Sequence, residues 1–175
     1  IIAGGVARRL GGRIKAQIEI VGRPILDALL ALVPGVPVIV VTPHPEAFRG
    51  LRCVPDVVAG KGAPGGVVTA LLSASTEWVL VVAGDMPNLR SAHVEALRAA
   101  SRDDVEVVVS TRGDSVEPLF ALYRRSLGAT WLPRLQTNPS LRELIGSVSH
   151  ARVALDPDAL DSINTPEDLA RLGGS

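Results

Sequence analysis

The chain opens with a strand stub that empties into a loop without bulk. Ile1-Ile2-Ala3 is apolar, and Gly4-Gly5-Val6-Ala7-Arg8-Arg9-Leu10-Gly11-Gly12-Arg13-Ile14-Lys15 follows it at once. Glycine removes the Cβ that would keep backbone N–H groups away from an anion. Arg8, Arg9, Arg13 and Lys15 concentrate positive charge in this loop, in a chain whose 18 acidic and 18 basic residues cancel overall. A strand feeding such a loop points to an α/β fold that receives a polyphosphate at a strand end.

Two common phosphate-loop patterns are excluded by spacing. A Walker loop ends G-K-[ST], whereas Gly11-Gly12 here leads to Arg13-Ile14-Lys15-Ala16. The dinucleotide fingerprint G-x-G-x-x-G fails because Gly4 and Gly5 are adjacent.

The rest of the chain alternates between short apolar runs and helical periodicity. Strands are predicted over 36–41, 51–54, 78–83, 105–110 and 119–123, the last of them antiparallel. Helices are predicted over 24–33, 65–74, 91–100, 127–135 and 140–145, with Ser91 as an N-cap. Thr165-Pro166-Glu167-Asp168 has the cap, the N1 proline and the early acids of a final helix start. This order predicts one domain over 1–175, a three-layer α/β/α arrangement on a mostly parallel sheet of Rossmann-like type. Ligand should then meet the loops after the carboxyl ends of the strands.

Those loops carry the residues with chemistry. Asp85 follows the apolar run Trp78–Ala83 and precedes Met86-Pro87, so its carboxylate is the metal candidate. Mg²⁺ keeps several waters and needs only one or two carboxylates beside substrate phosphates. Asp56 follows Val54-Pro55, and Gly62-Ala63-Pro64-Gly65-Gly66 opens a helix. No Ser/His/Asp or Cys/His set is spaced for nucleophilic catalysis. His44, His93 and His150 lack zinc spacing, and His93 reads as an exposed helix residue. The single Cys53 excludes an internal disulfide and reads as a buried thiol. Charge balance argues against nucleic acid, and no apolar run reaches the length of a membrane span, so a cytoplasmic enzyme is expected.

The pattern A-G-G-x-x-x-R-[LM]-G-G-x-x-K, then Gly22-Arg23-Pro24, resembles the molybdenum cofactor guanylyltransferases. The resemblance continues through Asp85-Met86-Pro87, Glu117-Pro118-Leu119-Phe120-Ala121-Leu122 and Asn164-Thr165-Pro166-Glu167-Asp168-Leu169. It implies a nucleotide-diphospho-sugar transferase type fold and transfer of GMP from GTP to molybdopterin, with Mg²⁺ held at Asp85. It implies catalytic roles for Lys15, Arg9 and Asp85. It implies ligand contacts from Ile2, Ala3, Gly4 and Gly5, and from Asp56 and Gly65, with Asn164 facing the pterin side. A molybdopterin-delivering protein and an apo-molybdoenzyme are the implied protein partners. The family usually carries Asp where this chain has Ile14, which leaves a non-catalytic GTP binder as one alternative. Gly5 favours GTP, whereas Gly84-Asp85-Met86-Pro87 is closer to the CTP-dependent relatives, which are the other.

Overall fold

A computed structural model describes residues 1–4, 6–7 and 12–172 of the 175. Arg9 and Gly5 therefore lie outside the described residues. Four short strands come first: β1 (Val6–Ala7), β2 (Arg13–Ile14), β3 (Glu19–Ile20) and β4 (Arg23–Pro24). β1 pairs with β2, and β3 with β4, both antiparallel. The main elements follow as α1 (Ile25–Leu30), β5 (Ile39–Val41), β6 (Arg52–Val54), α2 (Gly62–Ser73), β7 (Trp78–Val82) and α3 (Ser91–Ala99). The chain closes with β8 (Val107–Arg112), β9 (Ser115–Arg124), α4 (Leu127–Trp131), α5 (Leu141–Gly146), β10 (His150–Ala154) and α6 (Pro166–Arg171).

The opening residues join two sheet pieces into one surface. Ile2 bridges in parallel to Val41 on one side and to Ala83 on the other. Ala3 N–H donates to Val41 O at 2.9 Å, and Ile2 N–H donates to Val82 O at 2.8 Å. The order is then β6, β5, residues 1–3, β7, β9, β8, β10. Only β9 runs against the rest, pairing antiparallel with both β7 and β8. The expected mostly parallel sheet is present.

Side-chain alternation along the strands sorts the core into two layers. Val82, Val108, Phe120 and Leu122 pack with α1 and α3, through Ile25, Leu29, Val94 and Leu97. Val81, Val107, Val109, Ala121 and Tyr123 pack on the opposite face with Val67, Val68 and Leu71 of α2. Residues Gly65–Leu71 of α2 are all buried because α4 covers the helix's outer side. Gly128 permits that cover: a Cβ there would stand 3.0 Å from Leu71 Cβ and 3.1 Å from Leu72 N. Three layers follow, as the alternation predicts.

Several boundaries differ from expectation. α2 begins at Gly62, three residues early, since Pro64 lies in the first turn, where its missing N–H costs nothing. Ser91 is the first residue of α3 and not its cap; Arg90 N–H donates to His93 Nδ1 at 3.1 Å. His93 therefore closes the helix start and is only partly exposed. Strand β10 was not foreseen, because its polar residues alternate outward along the sheet edge. β9 is longer than predicted and carries an irregularity next to the sheet's open end. Val109 pairs with Ala121 but Ser110 pairs with Glu117, so Pro118, Leu119 and Phe120 leave the β8 ladder. Ser110 Oγ donates to Phe120 O at 2.8 Å, and Leu119 O accepts from Ala83 N–H at 2.8 Å, which keeps the bulge satisfied.

Candidate active site

A cavity of about 340 Å³ opens where residues 1–3, β5 and β7 end. Ile2, Ala3 and Gly4 form one wall with Val41; Ala83, Gly84 and Asp85 form another. Gly62, Ala63 and Gly66 from the start of α2 form the floor, and Asp56, Lys15 and Leu119 stand at its sides. This is the crevice at the carboxyl ends of the strands that the fold class dictates.

Each polar group reaches the cavity through a local device. Asp56 is carried by the loop after β6. Val57 N–H donates to Thr69 Oγ1 at 3.0 Å, and Thr69 Oγ1 donates to Gly65 O at 2.8 Å, so a buried threonine pins that loop to α2. The Asp56 carboxyl is held above its ordinary range because protein atoms displace part of its hydration. Asp85 comes from the turn after β7, anchored by Gly84 N–H donating to Ile2 O at 2.9 Å. A Cβ at Gly84 would meet Ala16 Cβ at 3.2 Å and Ala3 Cβ at 3.4 Å, so a side chain there would crowd the three segments that approach one another.

Lys15 is the centre of the arrangement. Its Nζ donates to Asp85 Oδ2 at 2.7 Å and to Asn164 Oδ1 at 2.6 Å. Both ionic side chains are largely covered, 16% exposed for Lys15 and 17% for Asp85. Charge-assisted bonds of this length are about twice as strong as neutral ones. Ile163, fully buried, brings Asn164 to this point, and its N–H donates to Asp85 O at 3.0 Å. Residues 15, 85 and 164 thus converge from three separate parts of the chain.

Beside them, Glu117 Oε1 accepts from Leu119 N–H at 3.3 Å and shapes the β9 bulge. Burial holds the Glu117 carboxyl above its ordinary range; Arg142 opposes this, and the Asp85 charge adds to it.

Of the residues expected to contact ligand, Ile2, Ala3, Gly4, Lys15, Asp56 and Asp85 line the cavity. Gly65 does not. Its missing Cβ is explained by packing, since a Cβ would stand 2.9 Å from Lys61 Cβ and 3.4 Å from Val58 O. The neighbouring Gly66 takes the lining place: a Cβ there would point toward Ile2 Cγ2 at 3.2 Å and Asp56 Oδ1 at 3.8 Å. Asn164 touches Lys15 and is not among the lining residues. Ile14 packs against the apolar cluster of Ala3, Ala16, Leu26, Val40 and Phe48. Sequence reading reached Gly66 and Leu119 only as members of their segments, singled out Gly65 in place of Gly66, and gave Gly84 no role. The doubled glycine at 65–66 was the available signal for Gly66, but helical phase was needed to choose between the two.

Residues 1–153 match the family of MobA-like NTP transferase domains. The chain belongs to that family. It is 30% identical over 185 residues to the molybdenum cofactor guanylyltransferase of Vibrio campbellii, covering 99% of this chain and 93% of that protein. The corresponding protein of Shewanella halifaxensis is 30% identical over 183 residues, covering 99% and 92%. Among solved structures, molybdopterin-guanine dinucleotide biosynthesis protein A from Archaeoglobus fulgidus superposes with a TM-score of 0.82 at 20% identity, over 98% of this chain and 94% of that one. The likeness confirms the fold, and the family makes the chain a nucleotidyltransferase. Among the described residues, no helix is long and apolar enough to cross a membrane.

Proposed function

We propose that this chain transfers GMP from GTP to the phosphate of molybdopterin, releasing pyrophosphate and the guanine dinucleotide cofactor. The observation that carries the reading is Lys15, held by Asp85 and Asn164 beside a cavity walled by glycine and alanine. Such a cavity admits a nucleotide through backbone contacts, and one fixed ammonium meets its phosphates. The names of the relatives favour guanine and molybdopterin over other bases and acceptors.

An oxygen of the acceptor phosphate attacks the α-phosphorus of GTP, a P–O bond forms, and the bond to the β-phosphate oxygen breaks. Pyrophosphate leaves with the electron pair. The acceptor is already an anion, so no dedicated base is required. Catalysis is then positioning and charge neutralisation. Lys15 neutralises phosphate oxygens, Gly66 and Gly84 permit close approach, and Leu119 walls the side near Glu117.

The donor set fits Mg²⁺. It offers the hard carboxylate oxygens of Asp85 at the edge of the cavity. Among the described residues there is no group of three or more His, Cys, Asp or Glu that would suit a fully protein-ligated metal. Asp85 would hold the ion, which when bound neutralises charge on the phosphates. A molybdopterin-delivering protein and an apo-molybdoenzyme belong to the same reading as partners for an acceptor and a product of this kind.

Titration calorimetry with GTP, CTP and ATP in the presence of Mg²⁺ tests the nucleotide. GTP binding that is lost in Lys15→Ala supports the reading. A preference for CTP would replace it with cytidylyl transfer. Binding of GTP without pyrophosphate release when molybdopterin is added would reduce the chain to a binder.

A further inference from the structure

We propose that Asn164 is a positioning residue that acts on the nucleotide through Lys15 and does not touch the nucleotide itself. The inference rests on the reading of the cavity as a nucleoside triphosphate site.

The amide is oriented from both ends. Its Oδ1 accepts from Lys15 Nζ at 2.6 Å while its Nδ2 donates to Ser162 Oγ at 2.8 Å. The backbone beneath it is held as firmly. Asn164 N–H and Thr165 N–H both donate to Asp168 Oδ2, at 2.9 and 3.0 Å, and Asp168 N–H donates back to Thr165 Oγ1 at 3.2 Å. One residue before Asn164, Ile163 ties the same segment to the Asp85 backbone. The start of α6 is therefore a bracket whose protruding group is one amide oxygen, and that oxygen meets the ammonium.

A lysine left alone carries a large rotamer entropy that nucleotide binding would have to remove. Fixing Nζ between Asp85 and Asn164 removes it beforehand. The choice of amide also has a reason. Asp85 already neutralises Lys15, and a second carboxylate at 164 would hold the ammonium back and repel a polyphosphate. A neutral acceptor positions the charge without cancelling it.

The test is a double-mutant cycle on GTP affinity, measured by calorimetry with Mg²⁺ on wild type, Asn164→Ala, Lys15→Met and the double variant. Asn164→Ala is expected to weaken GTP by about tenfold, in line with loss of one charge-assisted contact. In the Lys15→Met background the same change is expected to do nothing. Asn164→Asp should also weaken GTP, although it keeps an acceptor at the same place. Equal penalties for Asn164→Ala in both backgrounds, or none in either, overturn the proposal, since the first means direct contact with ligand.

A second readout needs no nucleotide. The Lys15 ammonium should give a slowly exchanging ¹⁵N NMR signal in the ligand-free protein and lose it in Asn164→Ala. A signal unchanged by that substitution also overturns the proposal. If wild type bound none of the three nucleotides, the reading of the cavity would fail, and the ammonium signal would still decide whether Asn164 holds Lys15.

Discussion

At Gly66 a single missing Cβ separates a filled cavity from an open one. A methyl there would come within 3.2 Å of Ile2 Cγ2 and would point toward Asp56. Gly66→Ala gains about 1 kcal/mol of helix propensity, which offsets the tight contact, so the thermal midpoint should barely move. Nucleotide affinity should fall by roughly tenfold, because the floor rises where backbone and ligand must approach. Calorimetry beside a thermal melt checks both, and unchanged affinity would remove Gly66 from the site. Asp85→Asn keeps shape and can still accept from Lys15, yet loses the charge. Turnover should drop about a thousandfold or more with the fold intact; full activity would refute the metal assignment. The residues legible beforehand, Lys15, Asp56 and Asp85, are those whose chemistry stands out against an apolar strand end. Asn164 was legible only as a motif position. Its bond to Lys15 spans 149 residues of sequence and depends on where a buried Ile163 docks.

Among the elements, the final helix contributes more than its six residues imply. Its N-cap is readable directly from Thr165-Pro166-Glu167-Asp168 and forms as expected, with Asp168 N–H donating to Thr165 Oγ1 at 3.2 Å; the structure adds the reciprocal bond from Thr165 N–H to Asp168 Oδ2. What capping rules do not convey is that the same turn presents Asn164 to Lys15. Thr165→Ala should cost about 1 kcal/mol, lowering the melting midpoint by roughly 2–4 °C for a chain of this size. It should also weaken GTP binding, since the bracket loosens. A melting shift without an affinity change would separate cap from site. The β9 bulge is the opposite case. Only the pairing of Ser110 with Glu117 shows that three residues leave the β8 ladder and bring Leu119 to the cavity wall.

For the molecule as a whole, the layer order follows from the alternation of short apolar strands and helices. Burial on both faces explains why α2 and the central strands read as unbroken hydrophobic runs. The position of residues 1–3 between β5 and β7 does not follow from periodicity, since three residues carry none. It follows from the crevice rule together with the loop they feed. The closing segment is tied across the molecule by Asp161, whose Oδ1 accepts from Arg112 at 3.0 Å and whose Oδ2 accepts from Arg171 at 2.6 Å. The Arg171 hydrogen bond, then that of Arg112, holds the Asp161 carboxyl below its ordinary range. A depressed carboxyl contributes stability that is present above its unfolded value and lost as pH falls through the folded one. Wild type should therefore melt higher than Asp161→Asn at neutral pH. The gap should close as pH drops below the usual carboxylate range, and a gap independent of pH would contradict the ion pairs.

The central claim is that the glycine-lined cavity carries out guanylyl transfer. Its most direct test is pyrophosphate release from GTP, CTP or ATP, with Mg²⁺, in the presence and absence of molybdopterin. Release with GTP alone, dependent on the acceptor and abolished in Lys15→Ala, is the predicted result. Release with CTP in place of GTP, or none with any nucleotide, would contradict it.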